Sequence, residues 1–175
     1  MPAQDDKREN QQKKFLSLTE SHKRDQKYDC LWNNKAKIEL KTRQVGKSCT
    51  TKRRVTENTL KEWEDVFWVI SEYKKDKPDT IDGNTILLFP EHLSDWRKKT
   101  LDGLKKGTDK QLGYNDINYL KGPNEIIEKV KKQVHKNDPH IGLKFINMGI
   151  VIKDSKHFNE VMEKYYKEKP NDKSR

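Results

Sequence analysis

One short segment with alternating residue types constrains the fold of this chain more than any other. Over residues 36–42, apolar and charged residues alternate up to Lys41, and Thr42 ends the segment. The apolar members are Ala36, Ile38 and Leu40, and the charged members are Lys37, Glu39 and Lys41. A period of two is typical of a β-strand with one buried face. The pattern therefore places Glu39 and Lys41 on the same face of a strand.

An apolar and aromatic run over residues 28–32 precedes this strand, and the Asn-Asn-Lys sequence of residues 33–35 suits a short hairpin loop. A three-residue loop pairs Trp32 with Ala36 and sets Asp29 opposite Glu39. Opposed residues of an antiparallel pair have Cβ atoms about 4.5 to 5.5 Å apart. The hairpin thus brings two carboxylates together with Lys41 as their one partner of opposite charge, an arrangement that is destabilising without a cation.

A hard divalent cation removes this repulsion. Mg²⁺ is the cation that fits, because it binds one or two carboxylates and completes its octahedron with water and substrate phosphate oxygens. Lys41 then lies where a water molecule attacks phosphorus. A Glu-x-Lys tripeptide alone is common on surface strands in a chain with 38% charged residues. The interpretation depends on the full set: Asp29, nine intervening residues, and Glu39-Leu40-Lys41 on an alternating strand.

This set resembles the core motif of the PD-(D/E)XK nuclease superfamily, an Asp on one strand and (D/E)-x-K on the next. The chain departs from that motif at Tyr28, where the family pattern has Pro. The resemblance implies that Asp29 and Glu39 bind Mg²⁺ and that the Leu40 backbone carbonyl is a further metal ligand. It also implies that Lys41 positions or activates the attacking water.

Within the superfamily, the spacing is most similar to that of small homodimeric type II restriction endonucleases. The resemblance therefore implies a Mg²⁺-dependent, sequence-specific endodeoxyribonuclease that cuts both strands of double-stranded DNA and leaves 5′-phosphate and 3′-hydroxyl ends. Related nucleases often add a carboxylate from a preceding helix or loop, and Glu20 is a better candidate for this role than Asp25. For both residues, a solvated charge on a helix face is the alternative.

Length and charge agree with a single nucleic-acid-binding domain. A chain of 175 residues is one domain by length. We expect a flexible N-terminal arm over residues 1–14, one nuclease domain over 15–167 and a flexible tail over 168–175. Only 31% of residues are hydrophobic, so a homodimer interface would supplement a modest core. The net charge of +10 favours a polyanionic partner, either nucleic acid or an anionic membrane surface.

The sequence also indicates the cellular compartment of the protein. No apolar run is long enough to span a bilayer, and the N-terminus lacks the apolar core of a secretory signal, so we expect a cytoplasmic protein. Cys30 and Cys49 are too few for a disulfide framework or a zinc site, and we expect both to be reduced thiols.

A basic, hydroxyl-rich segment follows the strand that carries Glu39. Its Gly46-Lys47-Ser48 sequence does not belong to a phosphate-binding loop, because that motif requires Gly where this chain has Lys41. Hydroxyl and lysine side chains suit phosphates, and arginine suits guanine. The DNA-contact candidates here are Lys47, Ser48, Thr50, Thr51, Lys52, Arg53 and Arg54. The alternative is a solvated basic loop that adds only general attraction to phosphate.

Three further DNA-contact candidates lie later in the chain. Asn115 and Asn118 could pair with adenine, although Asn is also an ordinary turn former. His140 follows a polar Asn-Asp-Pro sequence and could reach a DNA groove.

The remaining pattern predicts an α/β fold, with a mixed sheet flanked by helices in a restriction-endonuclease-like core. The expected strands besides the hairpin are residues 66–73, 84–89 and 143–152, with a loop over 74–83. The expected helices are residues 15–27, one from an N-cap at Thr56 to residue 65, one beginning at Pro90, one over 124–135, and a last one capped by Ser155.

Two other functions remain open. A junction-resolving or repair nuclease would have the same three residues and a branched substrate. A non-catalytic nucleic-acid-binding protein would need only the basic charge, and Asp29→Ala would leave its function intact, since losing a negative charge strengthens phosphate binding.

Overall fold

The structure is a computed structural model that describes residues 4–19, 28–47, 49–50, 56–106, 140–141 and 149–169. Its centre is a five-stranded mixed sheet, and helices cover both faces of that sheet. The chain therefore has the α/β fold that the sequence predicts.

The strands are β1 (Cys30–Trp32), β2 (Ala36–Gln44), β3 (Cys49–Thr50), β4 (Val66–Lys74), β5 (Lys77–Leu88), β6 (His140–Ile141) and β7 (Ile150–Val151). The helices are α1 (Gln4–Leu16), α2 (Glu57–Glu62), α3 (Ser94–Lys106) and α4 (Ser155–Glu168), with a 3₁₀ turn over Pro90–Leu93 before α3. The main sheet has the order β1-β2-β4-β5-β7, and β3 pairs with β6 in a second, two-stranded sheet. Among the strand pairs that the structure describes, β2–β4 alone is parallel.

The β1–β2 hairpin has the predicted register. Trp32 pairs with Ala36, and Cys30 pairs with Ile38. Asn33 and Asn34 have φ angles of 48° and 55°. Asn tolerates this left-handed region better than most residues, which explains why the loop closes over three residues without glycine.

Each face of the sheet has its own hydrophobic core. On one face, Ile38 and Leu40 of β2 join Phe67 and Val69 of β4 beneath α1 and α4. On the other face, side chains of β4 and β5 pack against α2 and α3 and include Val66, Trp68, Ile70, Ile86, Leu88, Leu60 and Trp96. Strand β4 is thus covered on both faces, as its continuous apolar run predicts. Both Cys30 and Cys49 are buried.

The N-terminal segment differs from the predicted flexible arm over residues 1–14. From Gln4 onward it forms α1, which ends at Leu16, where the sequence instead predicts the start of a helix. Polar side chains of α1 find partners on the sheet: Arg8 Nε donates to Thr42 Oγ1 at 3.0 Å, and the Arg8 guanidinium lies 4.1 Å from the Tyr73 ring centre. Composition alone could not reveal these partners.

The predicted loop over residues 74–83 is also wrong. Strand β5 already begins at Lys77 and pairs antiparallel with β4 through two irregularities. The first half of β5 is polar, and at Ile81 the edge of this strand is covered by a side chain of α1 and not by another strand. Gln11 Oε1 accepts from Ile81 N at 2.9 Å. Pro78, which has no N–H to donate, fits such an edge position.

Helix boundaries agree in part with the predictions. Thr56 caps α2 as predicted, and Thr59 N donates to the Thr56 Oγ1 at 3.2 Å, but α2 already ends at Glu62, before the turn that leads to β4 at Val66. The N-cap of α4 is Asp154 rather than Ser155, with His157 N donating to Asp154 Oδ1 at 2.7 Å.

Other predictions fall partly or wholly outside the residues that the structure describes. These are the helix over 124–135, most of the strand over 143–152 and the tail after residue 169. Among the described helices, none is long and apolar enough to cross a membrane.

Candidate active site

The hairpin brings Asp29 beside the middle of β2. Asp29 N donates to Ile38 O at 2.9 Å, so Asp29 lies against β2 just before β1 begins. The paired residues of the hairpin end at Cys30 and Ile38, and the position of Asp29 directly opposite Glu39 stays a prediction.

The Asp29 carboxylate takes the place of a strand partner for β2. Its Oδ2 accepts a hydrogen bond from Leu40 N at 2.7 Å. The N–H and C=O groups of one strand residue point to the same edge, because paired residues exchange both bonds. The Leu40 carbonyl therefore lies on the edge that Asp29 occupies. Two oxygen groups that can bind a metal ion, the Asp29 carboxylate and the Leu40 carbonyl, thus lie on the same edge.

Glu39 and Lys41 form an ion pair on one face of β2, with 2.7 Å between Lys41 Nζ and Glu39 Oε1. The side chains are 13% and 25% exposed, respectively. Burial raises the pKa of Glu39; the ammonium of Lys41 opposes this rise, and the charge of Asp29 adds to it. The geometry agrees with this influence, because Asp29 Oδ2 bonds to the amide of Leu40, the residue that follows Glu39.

The pKa of Lys41 is raised despite burial. Burial alone would lower it, but the charge of Glu39 and the hydrogen bond to Glu39 outweigh burial. Lys41 is therefore held as an ammonium, a hydrogen-bond donor and positive charge. This state suits orienting a water molecule or neutralising a phosphate oxygen and does not suit a neutral-amine base.

The floor beneath the ion pair is apolar. Glu39 lies in register with Trp68 of β4, and Lys41 Nζ is 5.9 Å from the centre of the Trp68 ring. Cys49 of β3 is fully buried nearby, and burial raises the pKa of its thiol to about 11. Cys49 is thus a neutral packing residue, and the surroundings strengthen electrostatic interactions at Lys41.

A third carboxylate, that of Glu9, influences the site, and the sequence patterns did not point to it. The charge of Glu9 on α1 contributes to the raised pKa of Glu39. Glu9 Oε1 also pairs with Lys13 Nζ at 2.7 Å, four residues along the helix. The Glu-x-x-x-Lys spacing was a usable helix signal. Glu20, which was predicted for a third carboxylate, lies outside the described residues.

The side chains of Asp29 and Glu39 and the Leu40 carbonyl offer oxygen atoms, the type of ligand that Mg²⁺ prefers. Within the described ranges, no group of three or more His, Cys, Asp or Glu side chains could hold a metal ion.

The basic segment begins at the end of β2. Lys47 is exposed in the turn after the strand, and Arg43 Nη1 donates to its carbonyl at 3.1 Å. Thr50 and His140, two predicted DNA-contact residues 90 positions apart in the chain, are partners in the β3–β6 sheet. The other candidates lie outside the described residues: Ser48, Thr51, Lys52, Arg53, Arg54, Asn115 and Asn118.

A scan against protein-family models finds no match to this chain, and a search of curated proteins finds none either.

Proposed function

We propose that this chain is a Mg²⁺-dependent endodeoxyribonuclease with a restriction-endonuclease-like core, most similar in kind to homodimeric type II restriction enzymes. The single observation that carries the proposal is the Asp29 carboxylate bonded to Leu40 N beside the Glu39–Lys41 pair. Two carboxylates and a charged lysine at the edge of one strand suit hydrolysis of a phosphodiester.

Each residue has a distinct role in this proposal. Asp29, Glu39 and the Leu40 carbonyl hold Mg²⁺, which when bound supplies Lewis acidity and a more acidic water. Lys41 donates hydrogen bonds to the attacking water and offsets the negative charge that develops on phosphorus oxygens. The hydrogen bond from Leu40 N keeps the Asp29 carboxylate in place. A carboxylate that is already fixed loses less conformational entropy when the site is assembled.

Double-stranded DNA is the proposed substrate, and two observations support it. The chain carries a net charge of +10, and its basic segment leaves the same strand that carries Glu39 and Lys41. In a twofold homodimer, the two active sites would address the two strands of a palindromic sequence. Lysine contacts to phosphates predict binding that weakens steeply with salt.

The test is cleavage of unmodified plasmid and phage DNA with Mg²⁺, comparing the wild type with Lys41→Met. Lys37→Met is the matched control, because Lys37 lies on the same face of β2 but pairs with the exposed Asp65 at 3.0 Å. We expect discrete fragments from the wild type and from Lys37→Met. Lys41→Met should lose about 10² to 10³-fold in rate, the usual effect of removing one donor to a developing anion.

Other outcomes separate the alternatives. Cleavage of a four-way junction, with linear duplex ignored, would identify a junction-resolving or repair nuclease. DNA binding without cleavage of either substrate, and stronger binding by Asp29→Ala, would contradict catalysis and identify a non-catalytic binding protein.

A further inference from the structure

A buried polar chain lies on the face of the sheet opposite the Lys41 side chain. Gln12 of α1 is 1% exposed, Ser71 of β4 is fully buried, and Thr85 of β5 is 6% exposed. The rest of this face is built from apolar side chains of β1, β2 and β4 with α1 and α4. Three polar side chains from three elements in such a core call for an explanation.

The Gln12 amide contacts the backbone at the level of Lys41. Gln12 Nε2 donates to Lys41 O at 2.9 Å and to Ser71 Oγ at 3.0 Å, and it lies 3.4 Å from Val69 O. Lys41 pairs in register with Ile70, which lies between Val69 and Ser71 in the chain. The Gln12 amide thus contacts both β2 and β4 at the position of Lys41.

The chain continues across the sheet through a hydroxyl pair, with 2.9 Å between Ser71 Oγ and Thr85 Oγ1. Gln12 therefore connects α1 to β2 and β4 directly and to β5 through Ser71. Side chains on this face cannot touch the reactants, because the Glu39 and Lys41 side chains occupy the other face.

The arrangement is not the most stable one that the site allows. Gln12 Oε1 is buried and has no hydrogen-bond partner within the part of the chain that the structure describes. An unsatisfied buried acceptor costs free energy that an apolar side chain of similar size would avoid. The two carbonyl acceptors also fix which amide atom faces the strands. Such a polar group gives a defined geometry at the expense of stability.

We propose that Gln12 is a positioning residue that fixes the β2 backbone at Lys41 and so sets the place of the Lys41 ammonium. This role rests on the proposed nuclease function. A misplacement of about 1 Å in an active site can cost about 10²-fold in rate. Losing the tether should therefore lower kcat substantially while leaving DNA binding intact.

The test compares Gln12→Met with Gln11→Met. Methionine is unbranched and similar in length to glutamine, and it fills core space without hydrogen bonding to a carbonyl. Gln11 is the matched control because its amide also bonds a strand backbone, with Nε2 donating to Asp79 O at 2.6 Å, but on β5 and away from Lys41. Both variants are assayed for kcat and KM on plasmid DNA and for melting temperature.

We expect Gln12→Met to lower kcat by about 10 to 100-fold, with KM unchanged and a melting temperature no lower than that of Gln11→Met. Gln11→Met should keep the wild-type kcat. If Gln12 only stabilised the fold, Gln12→Met would lose rate only to the extent that it lost folded protein. The kcat per folded molecule would then be the same in Gln12→Met and Gln11→Met.

Two results overturn this role alone, provided that the wild type cleaves DNA. The first is a folded Gln12→Met variant with the wild-type kcat, and the second is an equal loss of kcat in Gln12→Met and Gln11→Met. If Gln12→Met does not fold, Ser71→Ala decides instead, since it removes one partner that holds the amide. A reduced kcat at unchanged KM in Ser71→Ala then supports the role, and a wild-type kcat overturns it. A wild-type protein that cleaves no DNA overturns the proposed function and this role together.

Discussion

The buried ion pair between Arg43 and Glu72 gives a stability prediction whose size can be worked out. Arg43 Nη2 lies 2.5 Å from Glu72 Oε2, and the two side chains are 8% and 7% exposed, respectively. Glu72 Oε1 also accepts from Asn84 N at 3.0 Å. Glu72→Met would leave a buried guanidinium without its counter-charge and the Asn84 N–H without that acceptor.

Removing one partner of a buried ion pair costs about 3 to 5 kcal/mol. In a chain of this size each kcal/mol lowers the melting temperature by about 2 to 4 °C, so Glu72→Met should melt about 6 to 20 °C below the wild type. Thermal and urea unfolding followed by circular dichroism at pH 7 measure this difference.

The double variant Arg43→Met/Glu72→Met is the decisive control. Replacing both charges by apolar side chains of similar size is often neutral or stabilising, so the double variant should recover most of the lost stability. The reasoning is refuted if Glu72→Met melts within about 2 °C of the wild type, or if the double variant is no more stable than the single one.

Three further predictions use groups that are wholly or partly buried. With the pKa of Cys49 at about 11 and both thiols buried, native protein at pH 8 should react with a thiol reagent only after unfolding, and rapid native labelling would contradict this. Burial and a hydrogen bond to Glu91 raise the pKa of Tyr165 to about 12. The folded state therefore retains this proton more strongly than the unfolded state, and its stabilising effect is lost as pH rises from 10 towards 12. Difference absorbance at 295 nm between wild type and Tyr165→Phe should show one tyrosine titrating near pH 12, and a transition near pH 10 would refute the assignment. Phe158→Ala empties a fully buried position under α4 and should cost about 3 to 5 kcal/mol in urea unfolding. The matched variant Phe15→Ala, at a side chain 40% exposed, should change stability by only about 0.5 kcal/mol, and equal losses would show that burial is not the cause.

The hairpin could be predicted from sequence because its determinants are local. The alternation over residues 36–42 and the two asparagines fixed both the register and the loop length. The placement of Asp29 beside β2 also followed from that register. The hydrogen bond from Leu40 N to Asp29 did not follow, because it depends on where β1 ends.

The N-terminal helix could not be predicted because its stabilisation is tertiary. Its residues are mostly polar, and its inward side chains bond to groups far away in the chain, as Arg8 does to Thr42 and Gln12 to Ser71. The same reason hid the influence of Glu9 on Glu39. The first half of β5 was missed likewise, since the edge at Ile81 is covered by Gln11 and this part of the strand has no apolar pattern of its own.

The central claim is that Asp29 and Glu39 share a divalent cation, and Mn²⁺ titration tests it most directly. Mn²⁺ broadens the NMR signals of nearby nuclei, so backbone amides of residues 28–30 and 39–41 should broaden first. Glu39→Gln should abolish this selective broadening, while Asp65→Asn, at an exposed carboxylate paired with Lys37, should leave it unchanged. Selective broadening of these amides that persists in Glu39→Gln, or broadening centred elsewhere in the wild type, would contradict the claim.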